Sequence, residues 1–201
     1  MIYHDWQVNE PSANQGCAAS SVESALWTAQ QCNSTKPFVC RIPAAIEVCD
    51  AGWSYFQGPN QNGMCYKYTA QRSIQFLNAQ NACLSQGANL VSIHSKEEND
   101  YVSSLALVGT YLDYHIGGVF IGLQYINSEW VWLDGSKFDY QNWASNRPQY
   151  PTNTDTDGTF LYPDGADEEL SQKWDDYSLG SVFNRYICKK KPNLTLMCEG
   201  S

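Results

Sequence analysis

The chain has 201 residues, enough for one domain of ordinary size with some left over. Its 12 basic against 21 acidic side chains give a net charge of −9, so no basic patch is available to displace counterions from phosphates, and nucleic acid is excluded as a partner. No apolar run approaches the roughly 20 residues that cross a bilayer.

The opening segment "MIYHDWQVNEPSANQG" has neither a basic start nor an apolar run, so a signal peptide is not in this sequence. Residues 1–43 match the last third of residues 44–191. Trp6 precedes Pro11 by five residues, as Trp143 precedes Pro148. Trp27 precedes Cys40 by thirteen residues, and Trp174 precedes Cys188 by fourteen. The expected organisation is therefore the C-terminal fragment of a first unit over 1–43, a complete unit over 44–191 and a tail over 192–201. A 43-residue piece is too short to bury a core of its own, which points to an upstream part outside this sequence, the alternative being a short N-terminal extension.

Within the complete unit, "GMCYKYT" (63–69) alternates as a strand. Residues 69–87 read as a helix, capped by Thr69 and ended by Gly87. "NLVSI" (89–93) reads as a short apolar strand. Ser95 and Glu98 form a capping box ahead of a second helix running to about 109, with Tyr101, Leu105, Val108 and Leu112 on one stripe. Strands follow at 118–123 and 130–134, then a long polar loop over 141–173 and a closing strand at 184–190. Helices and antiparallel strands in separate blocks imply an α+β fold with two helices and small antiparallel sheets.

Eight cysteines lie at 17, 32, 40, 49, 65, 83, 188 and 198, with no C-x-x-C pair. An even, scattered set points to disulfides in an oxidising compartment rather than to a zinc or thiol-redox motif. The sequons at Asn33 and Asn193 agree with an extracellular, secreted glycoprotein.

The charge is concentrated. Between Asp155 and Asp176 lie eight acidic residues and a single basic one, Lys173. Residues 153–164, "NTDTDGTFLYPD", follow the twelve-residue calcium loop at positions 1, 3, 5 and 6, but end in Asp where the pattern has a bidentate Glu. His4, His94 and His115 have no patterned partner, and no Ser/His/Asp or Cys/His arrangement stands out, so no enzyme is expected. Trp130 and Trp132 share one side of a strand and read as core, whereas Trp53, Tyr55 and Tyr150 are candidates for exposure.

Seven segments in order, "CDAGWSYF", "NACLSQGANLVSIHSKEEND", "FIGL", "WVWLDGS", "FDYQNW", "WDD" and "YIC", resemble the C-type lectin-like domain. "HDWQVNEPS", "GCA" and "PFVC" in residues 1–43 resemble the end of another, as in secreted tandem C-type lectins. The resemblance implies the pairs Cys83–Cys188, Cys49–Cys65 and Cys17–Cys32; it assigns no partner to Cys40 or Cys198. The loop-region pair of the complete unit is missing, with Leu179 about where one Cys belongs.

In sugar-binding members one calcium in the long loop is held by residues on either side of a cis proline, a nearby acid and the two residues after Trp. Carried over, the ligand-binding positions are Arg147, Gln149, Asp175 and Asp176, and the metal set is Gln149, Asp175 and Asp176 with Asp164, Asp167 or Glu168. Arg147 departs from the pattern: it has no acceptor and is always charged. A cation about 4 Å from the ion costs on the order of 1 to 4 kcal/mol, depending on dielectric. Calcium is thus either weakly held by the acidic loop, with Arg147 turned toward a carboxylate, or absent. In residues 1–43, Glu10-Pro11-Ser12 keeps an acid, but Trp27-Thr28-Ala29 has lost both later ligands. The expected function is an extracellular lectin-like module that binds carbohydrate through an altered calcium site. The alternative is a metal-independent protein-interaction or structural module on the same fold, with a protein ligand in place of a glycan.

Overall fold

The computed structural model describes residues 5–12, 15–37, 45–59, 62–109, 114–149, 157–164 and 169–196. They fall into two compact units, Met1–Pro43 and Ala44–Ser201.

In the first unit β1 (Cys17–Ser20) pairs antiparallel with β2 (Trp27–Gln30), and Cys17–Cys32 closes the hairpin with a Cα–Cα distance of 5.1 Å. Trp6 bridges to Trp27, the two rings meeting edge to face at 5.7 Å.

The second unit begins with β3 (Ala45–Val48), β4 (Ser54–Phe56) and β5 (Met64–Gln75). Helices α1 (Phe76–Leu84) and α2 (Lys96–Leu105) flank the two-residue β6 (Asn89–Leu90), and a short α3 (Tyr114–Gly117) follows. Next come β7 (Val119–Ile126), β8 (Glu129–Trp132), β9 (Asp157–Leu161), β10 (Trp174–Ser178), β11 (Val182–Lys190) and β12 (Asn193–Leu196). The main sheet runs β10-β9-β7-β11-β5-β4, with β6 on β11 and β8 on β7; β12 pairs separately with β3. The expected disulfides Cys49–Cys65 and Cys83–Cys188 form, with Cα–Cα distances of 5.6 and 5.5 Å. The mixed α+β class stands as read from the sequence.

Several boundaries differ from the sequence reading, for tertiary reasons. Residues 69–75, expected as the first helical turns, continue β5, because β11 pairs with them from Tyr186↔Thr69 to Val182↔Gln75. A bulge in that ladder is fixed by Ser73, at φ 54°, whose amide donates to Asn184 Oδ1 at 2.8 Å. Helix α2 ends at Leu105 rather than near 109. Residues 193–196, expected in a tail, are hydrogen-bonded to 45–48. The stretch 157–161, expected inside a polar loop, is an inner strand between β10 and β7 with all five residues buried.

Two apolar clusters sit on the sheet. One joins Tyr66, Ile93, Val102, Leu123, Trp132 and Trp174. The other joins Phe76, Leu90, Phe120, Phe160 and Phe183 around Cys83 and Cys188. Leu179 packs against the second cluster, near Gly158: a Cβ on Gly158 would lie 3.0 Å from Leu179 Cδ2 and 2.7 Å from Phe76 Cδ2. Close hydrophobic contact therefore occupies the area where the missing loop-region pair would have one of its cysteines.

Candidate functional site in the long loop

The site is built where the chain returns across the edge of the sheet. Trp174 is fully buried; its indole Nε1 donates to Asn99 Oδ1 at 2.7 Å, and its backbone bridges to Trp143. That anchor fixes the two residues after it in an edge strand, Asp175 at 4% and Asp176 at 5% exposure. Four residues after Trp143, the Arg147-Pro148 bond is cis and turns the segment back over β10.

Arg147 stands among the expected metal ligands. Its Nε lies 3.0 Å from Asp175 Oδ1, and its Nη1 donates to Gln149 Oε1 at 2.7 Å. The Gln149 amide donates to Asp176 Oδ1 at 2.7 Å, and the Tyr162 hydroxyl donates to Asp175 Oδ2 at 3.0 Å. Burial pushes the Asp175 carboxyl above its ordinary range, against the opposing pull of the Arg147 guanidinium and the Tyr162 hydroxyl. Together these groups line a cleft of about 510 Å³ with Asp157, Phe160, Tyr177, Ser178 and Ser181. Three carboxylates, a guanidinium, the hydroxyls of two serines and two tyrosines, and aromatic rings are groups that bind a polyol: acceptors and donors for its hydroxyls, ring faces for its C–H surface.

Not every expected ligand reaches this cleft. Asp164 lies elsewhere; its Oδ2 accepts from the Val108 and Gly109 amides at 2.7 Å each and holds the chain after α2. Asp167 and Glu168 lie outside the described residues, as do Asp155, Tyr150, Cys40 and Cys198. Of the calcium-loop pattern over 153–164, residues 153–156 lie outside the described residues. Its fifth to ninth positions form strand β9, where successive side chains point to opposite faces and cannot wrap one ion. Among the described residues no group of three or more His, Cys, Asp or Glu is arranged to hold a metal. The donor set as it stands does not fit calcium, because a guanidinium takes the two oxygens, Asp175 Oδ1 and Gln149 Oε1, that an ion would need.

In the first unit the corresponding segment also has a cis bond, Glu10-Pro11. Its one carboxylate is spent on backbone: Glu10 Oε2 accepts from the Ser12 amide at 2.6 Å and the Ala29 amide at 3.1 Å, and these bonds lower its pKa.

A second polar cluster escaped the sequence. His94 Nδ1 lies 2.8 Å from Asp139 Oδ1 and Nε2 lies 3.1 Å from Ser92 Oγ. The order is that of a hydrolytic triad, but the wiring is not. The Ser92 hydroxyl is 1% exposed, donates to Asp134 Oδ2 at 2.6 Å and lies 3.3 Å from Lys189 Nζ. A nucleophile needs its proton directed to the base and its oxygen open to substrate; Ser92 has neither. Lys189 Nζ in turn donates to Glu98 Oε1 at 2.6 Å, and Tyr66 OH donates to the same atom. Only long-range pairing brings residues 66, 92, 98, 134 and 189 together, so no local signal marks the cluster. Asn33 and Asn193 are both exposed; Asn193 Nδ2 donates to Asp50 Oδ1 at 2.7 Å. Tyr55 is exposed, Trp53 lies half-buried 4.4 Å beneath Lys190 Nζ, and the side chains of His4 and His115 lie outside the described residues.

The sequence matches the family described as the lectin C-type domain over residues 72–190. The chain belongs to this family. Lymphocyte antigen 75 of the mouse is 31% identical over 99% of this chain, which spans only 12% of that relative's length. Among solved structures, the cow C-type carbohydrate-recognition domain of CD23, studied with a GlcNAc2Man3 oligosaccharide, has a TM-score of 0.57 and 26% identity, covering 74% of this chain and 99% of its own. A calcium-independent type II antifreeze protein has a TM-score of 0.55 and 25% identity, covering 75% and 98%. The lectin-domain fold read from the sequence is thereby established. No helix among the described residues is long and apolar enough to cross a membrane.

Proposed function

We propose that the second unit is an extracellular carbohydrate-binding module that works without calcium, with Arg147 standing in for the ion. The observation that carries this reading is the Arg147 guanidinium held between Asp175 and Gln149 inside the loop cleft. Calcium in such a site would draw the loop oxygens together and offer positive charge to sugar hydroxyls. A tethered guanidinium does the first through Nε and Nη1, and its remaining N–H donors supply the second. The half-buried rings of Tyr162 and Tyr177 add the apolar surface a sugar ring stacks on. The calcium-independent relative of the same fold is consistent with a metal-free site. Three disulfides support an oxidising, extracellular setting. Residues 1–43 are read as the end of a preceding domain, supported by the matching cis proline and tryptophan bridge.

The test is a glycan-binding titration in excess chelator and again in millimolar calcium. Equal binding in both, lost in Asp175→Ala, is the expected result. Binding that appears only with calcium would overturn the metal-free form. Failure to bind any saccharide would leave the protein-ligand alternative.

A further inference from the structure

The structure assigns the ligand a charge: we propose that the glycan carries a sulfate or carboxylate, seated in a second groove that meets the first cleft at Arg147. This deepens the carbohydrate reading and rests on it. The groove has a volume of about 540 Å³ and is lined by Trp130, Trp143, Gln141, Asn142, Lys173 and Arg147, with no Asp or Glu among its described lining. In a chain of net charge −9, a groove lined by Lys173 and by Arg147, which is paired with Asp175 on its other side, and by no carboxylate, departs locally from the prevailing sign. Lys173 is the single basic residue in the acidic stretch 155–176, and its Nζ donates at 2.8 Å to an uncharged acceptor, Asn142 Oδ1. Asn142 is fixed in turn, its Nδ2 donating to the Gln172 carbonyl at 2.8 Å. The ammonium is thereby held at the groove rather than swinging free.

The wall is aromatic. Trp130 and Trp143 lie with ring centroids 5.0 Å apart, and Trp143 packs in turn on the buried Trp174 at 5.9 Å, so the wall is rigid. Ring faces, two amides and two cations fit a sugar unit with an apolar face, hydroxyls and one anionic substituent. The first cleft has the opposite lining, Asp157, Asp175 and Asp176 with Arg147, and repels an anion while accepting from neutral hydroxyls. Because Arg147 lines both, the pair of sites reads a neutral unit next to an anionic one.

The experiment titrates the full chain, in chelator, with four probes: lactose, 3′-sulfolactose, 3′-sialyllactose and lactose with free inorganic sulfate. The two anionic sugars separate a sulfate from a carboxylate preference, and the last probe separates a linked from a free anion. At least one anionic lactose is expected to bind about fivefold tighter than lactose at 0.15 M salt, with a larger margin at lower ionic strength. Lys173→Gln, which keeps a hydrogen-bonding side chain, should erase that margin and leave lactose affinity unchanged, and Lys173→Arg should keep it. Equal binding of lactose and both anionic forms would overturn the charge assignment while leaving the carbohydrate reading intact. So would a Lys173→Gln loss shared by lactose. If free sulfate competes as well as a linked anion, the groove is an ion site and not a sugar subsite, which also overturns it. No binding of any saccharide, lactose included and across a wider neutral panel, removes the underlying reading and this one with it.

Discussion

Replacing Arg147 by Glu should convert the cleft into a calcium site. The substitution removes a guanidinium that lies 3.0 Å from Asp175 Oδ1 and restores an acid beside the cis proline. It also frees Gln149 Oε1, now bound to Nη1 at 2.7 Å. Two unit charges about 4 Å apart interact by about 1 kcal/mol in water and about 4 kcal/mol at an effective dielectric of 20. Arg147 is 32% exposed, so the screened end of that range applies. Removing the positive charge then favours a divalent ion by about 2 kcal/mol, and the introduced carboxylate by about as much again, or roughly three decades in affinity. Extracellular calcium modules bind at about 0.1 to 1 mM, so a wild-type affinity three decades weaker lies beyond reach of titration, while the variant enters it. Calorimetric titration into chelator-treated protein should show no saturable heat for the wild type up to millimolar calcium, and saturable heat for Arg147→Glu that disappears in Arg147→Glu/Asp175→Ala. Saturable binding by the wild type that Arg147→Glu leaves unchanged would refute the argument, because the guanidinium would then not occupy the ion's place.

Acidification offers a second check. The Asp175 carboxyl is raised above its ordinary value of 3.8, chiefly by burial. Between that value and the raised one the folded state holds a proton the unfolded chain has released, so this group's share of stability falls as pH rises through the window. Protonation in the same window removes the anion that holds Arg147, so sugar affinity should fall as this group's share of stability rises; the difference in melting temperature between wild type and Asp175→Asn, followed from pH 3 to 7, isolates that share from the other carboxylates, and the acid loss of binding should be absent in Asp175→Asn. A pH profile of melting unchanged in Asp175→Asn would defeat this. A third check concerns the interior: Lys189 and Glu98 form an ion pair at 2.6 Å, with side chains 6% and 1% exposed. Lys189→Met leaves the Glu98 carboxylate buried beside Tyr66 and should cost about 3 to 5 kcal/mol in chemical denaturation, with much of that recovered in Lys189→Met/Glu98→Gln. A single variant that melts like the wild type would show the pair to be dispensable.

The parts of this fold legible in the sequence are those set by local chemistry. Ser95 caps α2, accepting from the Glu98 amide at 3.1 Å as the capping box requires, although Glu98 itself returns to the His94 amide and reaches inward to Lys189. The ordered motifs led to the family, and the resemblance implied the disulfides that form at Cys17–Cys32, Cys49–Cys65 and Cys83–Cys188. What was not legible depends on partners distant in sequence. Nothing in "TAQRSIQ" announces a strand; alone it favours a helix, and only the β11 ladder over 182–187 makes it extended. Likewise "DGTFL" looks like a loop by composition, yet it is an inner strand because β7 and β10 supply both sets of hydrogen bonds.

The same distinction separates the two levels at which the site was read. Sequence alone could place Arg147, Gln149, Asp175 and Asp176 in one loop region and note that one of them has the wrong charge. It left two outcomes, a decayed site whose acids face water or an acidic loop that still holds calcium with Arg147 turned toward a carboxylate. The buried carboxylates of Asp175 and Asp176 exclude the first for those two residues, since an acid facing water would not be nine-tenths enclosed. A buried carboxylate without a counter-charge is costly, and in this chain the counter-charge is covalent. Arg147 holds Asp175 and Gln149 in one cleft, which on the proposed reading is the structural work an ion would otherwise do. On the proposed reading the loop keeps its shape without calcium, and binding would not depend on calcium concentration.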